Sequence, residues 1–248
     1  PESVTNEVRS FATMPNFKGI VADVGGPTAN MYGFECPQKL KTGGCKQKRC
    51  IYPEICPQLP VSHKKQIELL IKLRALPGVR KVFVASGIRH DLVLADKKWG
   101  RKYLREVISE HTSGQMKIAP EHIVPQVLRL MGKPNHETLI NFIKLFYNYT
   151  RAANKKQFLT YYLIAAHPGC TYQDMVKLKS FATNFMKITP EQVQIFLPAP
   201  STYSALMYHT GFDPFTAEKI FVAKSLHQKE IQKNVVTSKM KNPILKSK

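Results

Sequence analysis

Gly19-Ile20-Val21-Ala22-Asp23-Val24, closed by Gly25-Gly26-Pro27-Thr28, sets the pattern of this chain: an apolar run of strand length that stops at turn residues. The pattern recurs at Lys81–Ala85 before Ser86-Gly87, and at Gln115–Ala119 before Pro120-Glu121-His122. It returns at Phe158–Ala166 before His167-Pro168-Gly169, and at Gln192–Leu197 before Pro198-Ala199-Pro200. Between these runs, apolar residues fall at helical steps: Ile67, Leu70, Ile71 and Leu73; Tyr103, Leu104, Val107 and Ile108; Leu139, Phe142, Ile143, Phe146 and Tyr147; Met175, Val176, Leu178, Phe181 and Phe185. Ser62 and Thr171 stand where helix N-caps are expected. Strands alternating with helices predict βαβ units, right-handed crossovers and a parallel sheet, hence an α/β fold, open or part of a barrel. A helix predicted at Ser3–Phe11, ahead of the first strand, favours a barrel array whose first strand would precede it. Beyond Pro200 the alternation weakens, and the Lys-rich end reads as a partly ordered tail.

Composition bounds the rest. The chain has 248 residues, 43% hydrophobic and 22% charged, which is globular and excludes collagen, low complexity and wholesale disorder. No apolar run is long enough to cross a membrane. The opening PESVTNEVRSF has neither a basic n-region nor an apolar h-region, so a cytoplasmic protein without a membrane partner is expected. The absence of Met at position 1 suggests a chain that begins partway through a larger protein. With 37 Lys+Arg against 17 Asp+Glu, the net charge is +20. Positive charge thickens at Lys39–Arg49 and at Lys219, Lys224, Lys229, Lys233, Lys239, Lys241, Lys246 and Lys248. Such charge favours salt-sensitive contact with polyanions such as RNA, against the plainer reading of a solvated lysine face.

Four of the five cysteines, Cys36, Cys45, Cys50 and Cys56, are spaced C-x8-C-x4-C-x5-C, while Cys170 is remote. Without a secretion signal, clustered cysteines point to metal or redox chemistry more than to a disulfide framework. The window also holds Gly33, Pro37, Gly43, Gly44, Pro53 and Pro57, so it reads as a long loop with little core of its own. Four thiolates on a shared Zn²⁺ or iron–sulfur cluster would order it; free thiols and disulfides are the alternatives.

In parallel α/β arrays chemistry collects at the carboxyl ends of the strands. There stand Asp23-Val24-Gly25-Gly26-Pro27-Thr28, Ser86-Gly87 with Arg89-His90-Asp91, Lys117 with Pro120-Glu121-His122, and His167-Pro168-Gly169. Glycines let a ligand approach the backbone N–H groups. Lys117 lies in an apolar strand, where a buried charge needs a partner, and Glu121 with His122 reads as a donor–acceptor pair. Any one of these residues also suits a plain turn; together on one edge they favour a site. The Walker loop, the G-x-S-x-G elbow, H-E-x-x-H and the Rossmann glycine fingerprint are all missing, which disfavours a hydrolase or an NTPase.

The run Gly25-Gly26-Pro27-Thr28-Ala29-Asn30-Met31-Tyr32, followed by Cys50-Ile51-Tyr52-Pro53-Glu54-Ile55-Cys56-Pro57, resembles the YgiQ family of radical SAM proteins. The likeness continues through Ala85-Ser86-Gly87-Ile88-Arg89, Leu92, Lys117–His122, Ala166–Gly169, Gln194–Pro200 and Met207–Gly211, and covers roughly residues 3–235. The resemblance implies a parallel partial (β/α)6 TIM-like barrel that binds a [4Fe–4S] cluster and S-adenosylmethionine, takes an electron from a donor and generates a 5′-deoxyadenosyl radical on an unknown substrate. The superfamily's C-x3-C-x2-C cluster motif is not among these residues. The chain then matches the family's second to sixth strands, lacks the first, and by itself would not cleave S-adenosylmethionine. On this reading residues 1–212 are the core, with the Cys-rich loop at 33–60, and 213–248 are a basic extension. The residues implied on the cofactor side are Asp23, Gly25, Gly26, Pro27, Thr28, Ser86, Gly87, Lys117, Glu121, His122 and His167, with no catalytic residue assigned. By the same analogy Cys36, Cys45, Cys50 and Cys56 hold a second cluster or a structural Zn²⁺. The alternatives are a basic RNA-interacting module and a catalytically inactive remnant.

Overall fold

Each of the five apolar runs contains a strand. The computed structural model describes residues 1–45 and 49–237. In chain order the elements are α1 (Glu2–Ala12), β1 (Ile20–Val21), α2 (Pro37–Thr42), α3 (Lys64–Arg74), β2 (Lys81–Val82), α4 (His90–Ala95), α5 (Gly100–Glu110) and β3 (Gln115–Glu121). They continue with α6 (Pro125–Met131), α7 (His136–Ala152), β4 (Phe158–Ala165), α8 (Tyr172–Phe181), β5 (Gln194–Ile195), α9 (Tyr203–Thr210) and α10 (Leu226–Thr237). Two compact units share them: Pro1–Pro120 with His136–Tyr161, and Glu121–Asn135 with Tyr162–Lys248. The boundary expected at 212/213 falls inside the second unit.

The first unit is built on parallel pairing. Ile20 and Val21 of β1 face Lys81 and Val82 of β2, and a further parallel bridge joins Ile88 to Ile118 of β3. The ladder between β1 and β2 is only two residues long because a side chain replaces it. Beyond Val24 N–H, which donates to Phe83 O at 2.7 Å, Asp23 Oδ1 accepts the N–H groups of Ala85 at 2.8 Å and Ser86 at 3.1 Å in place of a backbone carbonyl. Helices cover the strands with the faces that their spacing predicts. Tyr103, Leu104, Val107 and Ile108 of α5 are buried, as are Leu139, Phe142, Ile143 and Phe146 of α7; α5 and α7 pack on each other and on α4, while α3 packs on β2.

In the second unit β4 and β5 are parallel, Ile164 facing Gln194 and Ala165 facing Ile195. Buried Met175 and Leu178 mark the inner side of α8, which runs into a π turn at Ala182–Met186, where the sequence predicts a continuous helix. After Pro200 the structure is more regular than its sequence suggests. α9 is capped by Thr202, whose Oγ1 accepts Ala205 N–H at 3.1 Å, and α10 packs on α8. The basic end is thus helical through Thr237; Lys239, Lys241, Lys246 and Lys248 lie outside the described residues. The fold is mixed α/β with parallel strand pairs, and no closed barrel is present among the described residues. Among the same residues no helix is long and apolar enough to cross a membrane.

Candidate functional site

The expected cofactor-side residues divide between the two units, and each set has its own character. In the first unit, the turns after β1 and β2 meet. Asp23 takes the N–H groups of Ala85 and Ser86 and the Ser86 hydroxyl, and Ala29 N–H reaches Gly87 O at 2.9 Å. Gly25 is pressed into this junction: a Cβ there would stand 2.5 Å from Ser86 Cβ and 2.7 Å from Asp23 Oδ1. At Gly26 a Cβ would meet nothing within 4 Å, so its backbone faces open space. That space is a cleft of about 500 Å³ lined by Glu7 and Phe11 of α1, by Asp23, Gly25, Gly26 and Thr28, and by Gln66 and Leu69 of α3. Pro27 is exposed beside it in the chain. Such a volume suits a small-molecule ligand.

Lys117 corrects one expectation. It sits on β3, whose buried positions are Met116, Ile118 and Pro120, and the alternation turns Lys117 to the exposed face. Its charge therefore needs no buried partner.

Behind the cleft lies a buried polar relay that periodicity does not reveal. Asn30 Nδ2 donates to His63 Nε2 at 3.1 Å and to Arg89 O at 3.0 Å, while Arg89 N–H donates to Asn30 Oδ1 at 2.8 Å. His63 Nε2 being the acceptor, Nδ1–H donates to Asp96 Oδ2 at 2.9 Å, and His63 N–H reaches the same oxygen at 2.8 Å. Burial lowers the His63 pKa despite the Asp96 contact, so the ring is neutral. Burial acts to raise Asp96, but the N–H groups of His63 and Trp99 and the His63 ring outweigh it and hold the carboxyl low. The relay is a clasp: Asn30 precedes the Cys-rich loop 33–60 and His63 follows it, so the loop is tied at its base.

The loop also has a core, against expectation. Phe34, Cys36 and Leu59 are buried with Leu92 of α4, and Met31, Ile51, Ile55, Cys56 and Val61 pack against them. Cys36 and Cys56 serve there as small apolar groups, whereas Cys45 and Cys50 are exposed. Among the described residues no three His, Cys, Asp or Glu side chains converge into a group that could hold a metal ion.

In the second unit Glu121 and His122 do not pair with each other. Glu121 meets Lys133 Nζ at 2.8 Å. His122 is buried; its Nδ1 accepts Val124 N–H at 3.1 Å, so Nε2 keeps the proton and faces Cys170 Sγ at 3.6 Å. Burial, aided by nearby His167 and opposed by Asp174, pushes His122 down to about 4. Burial and then Asp174 push the Cys170 thiol up to about 12. A protonated thiol beside a neutral ring that already holds its proton is not an activated nucleophile. His167 donates from Nδ1 to Pro168 O at 2.8 Å and lies 2.8 Å from Ser204 Oγ through Nε2, with its pKa lowered to about 4 by burial. Both histidines are thus core groups holding turns.

Comparison with known proteins agrees with a family likeness along nearly the whole chain. Residues 191–243 match the family model described as Domain of unknown function (DUF3362). A UPF0313 protein of Fusobacterium nucleatum is 54% identical over 240 residues, covering 97% of this chain and 42% of the relative. UPF0313 proteins of Methanosarcina mazei, 45% identical over 232 residues, and Clostridium perfringens, 40% identical over 242, cover 94% and 98% of the chain. Each is covered over 36% of its own length. The chain is thus similar to UPF0313 proteins of bacteria and archaea, and it spans roughly two fifths of the length of the curated relatives it matches.

Proposed function

We propose that this chain contributes the S-adenosylmethionine-binding side of a radical SAM enzyme acting on an unknown substrate. The observation that carries the reading is the cleft of about 500 Å³ at the carboxyl end of β1, where Asp23, Gly25, Gly26 and Thr28 line one side and Glu7 another. The motif succession from Gly25 to Gly211, with its resemblance to the YgiQ family, supplies the ligand class. Bound beside a [4Fe–4S] cluster that receives one electron from a donor, S-adenosylmethionine would supply a 5′-deoxyadenosyl radical, with methionine as the leaving group, to abstract hydrogen from substrate. The residues of this chain bind and orient. Gly26 leaves the backbone approachable, because any side chain there would occupy the cleft. Asp23 is a positioning residue, since its oxygens are engaged by the turn after β2. The carboxylate of Glu7 suits the hydroxyls and ammonium group of such a ligand.

Equilibrium dialysis of S-adenosylmethionine against the chain, and against a full-length UPF0313 relative reconstituted with iron and sulfide, tests this. Gly26→Val is expected to keep the unfolding midpoint and weaken binding by roughly tenfold or more, as loss of a close backbone approach should. Gly25→Ala is expected to lower the midpoint as well, because its Cβ meets Ser86 and Asp23. No binding to either protein, or an unchanged Kd in Gly26→Val, would overturn the proposal.

A further inference from the structure

The stretch Lys97-Lys98-Trp99-Gly100-Arg101-Lys102-Tyr103-Leu104-Arg105 puts five cations around the chain's single tryptophan. The structure spreads them over one surface of the first unit. Burial of Tyr103, Leu104, Val107 and Ile108 fixes the inner side of α5 and leaves Arg101, Lys102 and Arg105 exposed, with Lys97 and Lys98 exposed just before the helix. Lys64, from the first turn of α3, joins them: its Nζ lies 5.7 Å from the Trp99 ring centre, and Lys102 Nζ lies 4.5 Å from it. Arg105 stands 4.7 Å from the ring of Tyr149. Cation–π contact orders these side chains without neutralising them.

Lys64 pairs with Glu68 at 3.6 Å, but the charge of the other five cations is uncompensated. Among the described residues none of Lys97, Lys98, Arg101, Lys102 and Arg105 is in an ion pair. The carboxylates of α5 are turned to other work: Glu110 meets Arg74 at 2.6 Å, and Glu106 lies 3.8 Å from the same guanidinium. Asp96 is buried and spends its oxygens on His63 and on the N–H groups of Lys98 and Trp99. Its bonds fix the backbone that presents the patch.

We propose that this face binds single-stranded RNA, its cations on successive phosphates and Trp99 as a platform for an unpaired base. Cations interleaved with a planar aromatic ring match a strand that carries both phosphates and bases with exposed faces. An acidic peptide has no such faces, and no exposed large apolar side chain lies within 97–105 to anchor in lipid. RNA is the nucleic acid whose loops commonly offer unstacked bases. This inference stands apart from the S-adenosylmethionine reading and survives its failure.

Trp99 being the one tryptophan, its fluorescence reports from the patch itself. The chain is titrated with an unstructured RNA oligonucleotide, the matching DNA strand, polyglutamate and phosphatidylserine vesicles, between about 50 and 200 mM salt. Quenching of Trp99 by RNA is expected, with an affinity that falls steeply with salt. The double variant Lys98→Glu/Arg101→Glu is expected to weaken RNA binding roughly tenfold or more and to flatten the log–log salt slope by about 0.7 for each phosphate no longer neutralised. Lys18→Glu/Lys81→Glu carries the same change in net charge at exposed sites elsewhere and is expected to have a smaller effect. No binding at low salt, equal weakening by both pairs, tighter binding of DNA, or equal quenching by polyglutamate or vesicles each overturns the proposal.

Discussion

A histidine ring that is buried and neutral ties the stability of its surroundings to pH. His122 and His167 both lie near pKa 4 in the fold, against an ordinary 6.5, because burial disfavours the charged ring. The sign follows from which state binds the proton. Below pH 6.5 the unfolded chain takes up protons that the folded chain refuses, so stability is complete above 6.5 and declines as the pH falls toward 4. Every tenfold loss of proton affinity on folding is worth roughly 1.4 kcal/mol, so the two rings together reach several kcal/mol by the end of that interval. Urea unfolding followed from pH 7 to 4 should show a falling midpoint over that window, and a flat profile would refute the neutral state of the rings. Lys117 teaches the complementary lesson: a charged residue in an apolar run is a site candidate by sequence, and strand alternation alone sends it to the surface.

Among the elements, α8 and α3 show which helix starts can be read in advance. Thr171 makes a reciprocal capping box: its Oγ1 accepts Asp174 N–H at 3.3 Å, and Asp174 Oδ2 accepts Thr171 N–H at 2.9 Å. Every partner lies within three residues, so the sequence carries the signal. Thr171→Ala should cost about 1 kcal/mol in the unfolding free energy, with most of the loss restored by Thr171→Ser. An unchanged free energy would deny the cap its role. Ser62 is equally suitable by sequence, yet α3 begins after His63, which has no side-chain cap. The N–H of His63 goes to Asp96, 33 residues away, and no local pattern announces such a partner. β1 and β2 are shortened for a related reason, their ladder ending where the Asp23 side chain takes over.

For the molecule as a whole, the basic C-terminal segment is part of the second unit's framework. Gln232 of α10 is buried; its Oε1 accepts Ala166 N–H at 2.9 Å and its Nε2 donates to Cys170 O at 2.8 Å. Ala166 is held at φ 60°, a costly conformation for a residue with a Cβ, at the turn these bonds support. A chain ending at Ser225 leaves both backbone groups unpaired and uncovers α8, at roughly 1–3 kcal/mol per orphaned group. It should lose near-ultraviolet circular dichroism from the second unit and melt at lower temperature. An unaltered spectrum and melting point would return the segment to the status of a tail.

Local rules are enough for the order of strands and helices, their parallel sense, the turn at Gly25-Gly26 and the cap at Thr171, because apolar period and turn chemistry act within a few residues. The partners that give the candidate site its form are distant in sequence: Asn30 and His63 across the Cys-rich loop, Asp23 and Ala85 62 residues apart, Gln232 and Ala166 66 apart. Only folding brings such groups together, the Asp23 pair at the surface and the Asn30–His63 and Gln232–Ala166 pairs in the interior, where leaving a polar group without a partner is costly. Tertiary structure therefore decided that Cys36 and Cys56 pack as apolar groups, that His122 and His167 are buried supports, and that Gly26 opens onto a cleft.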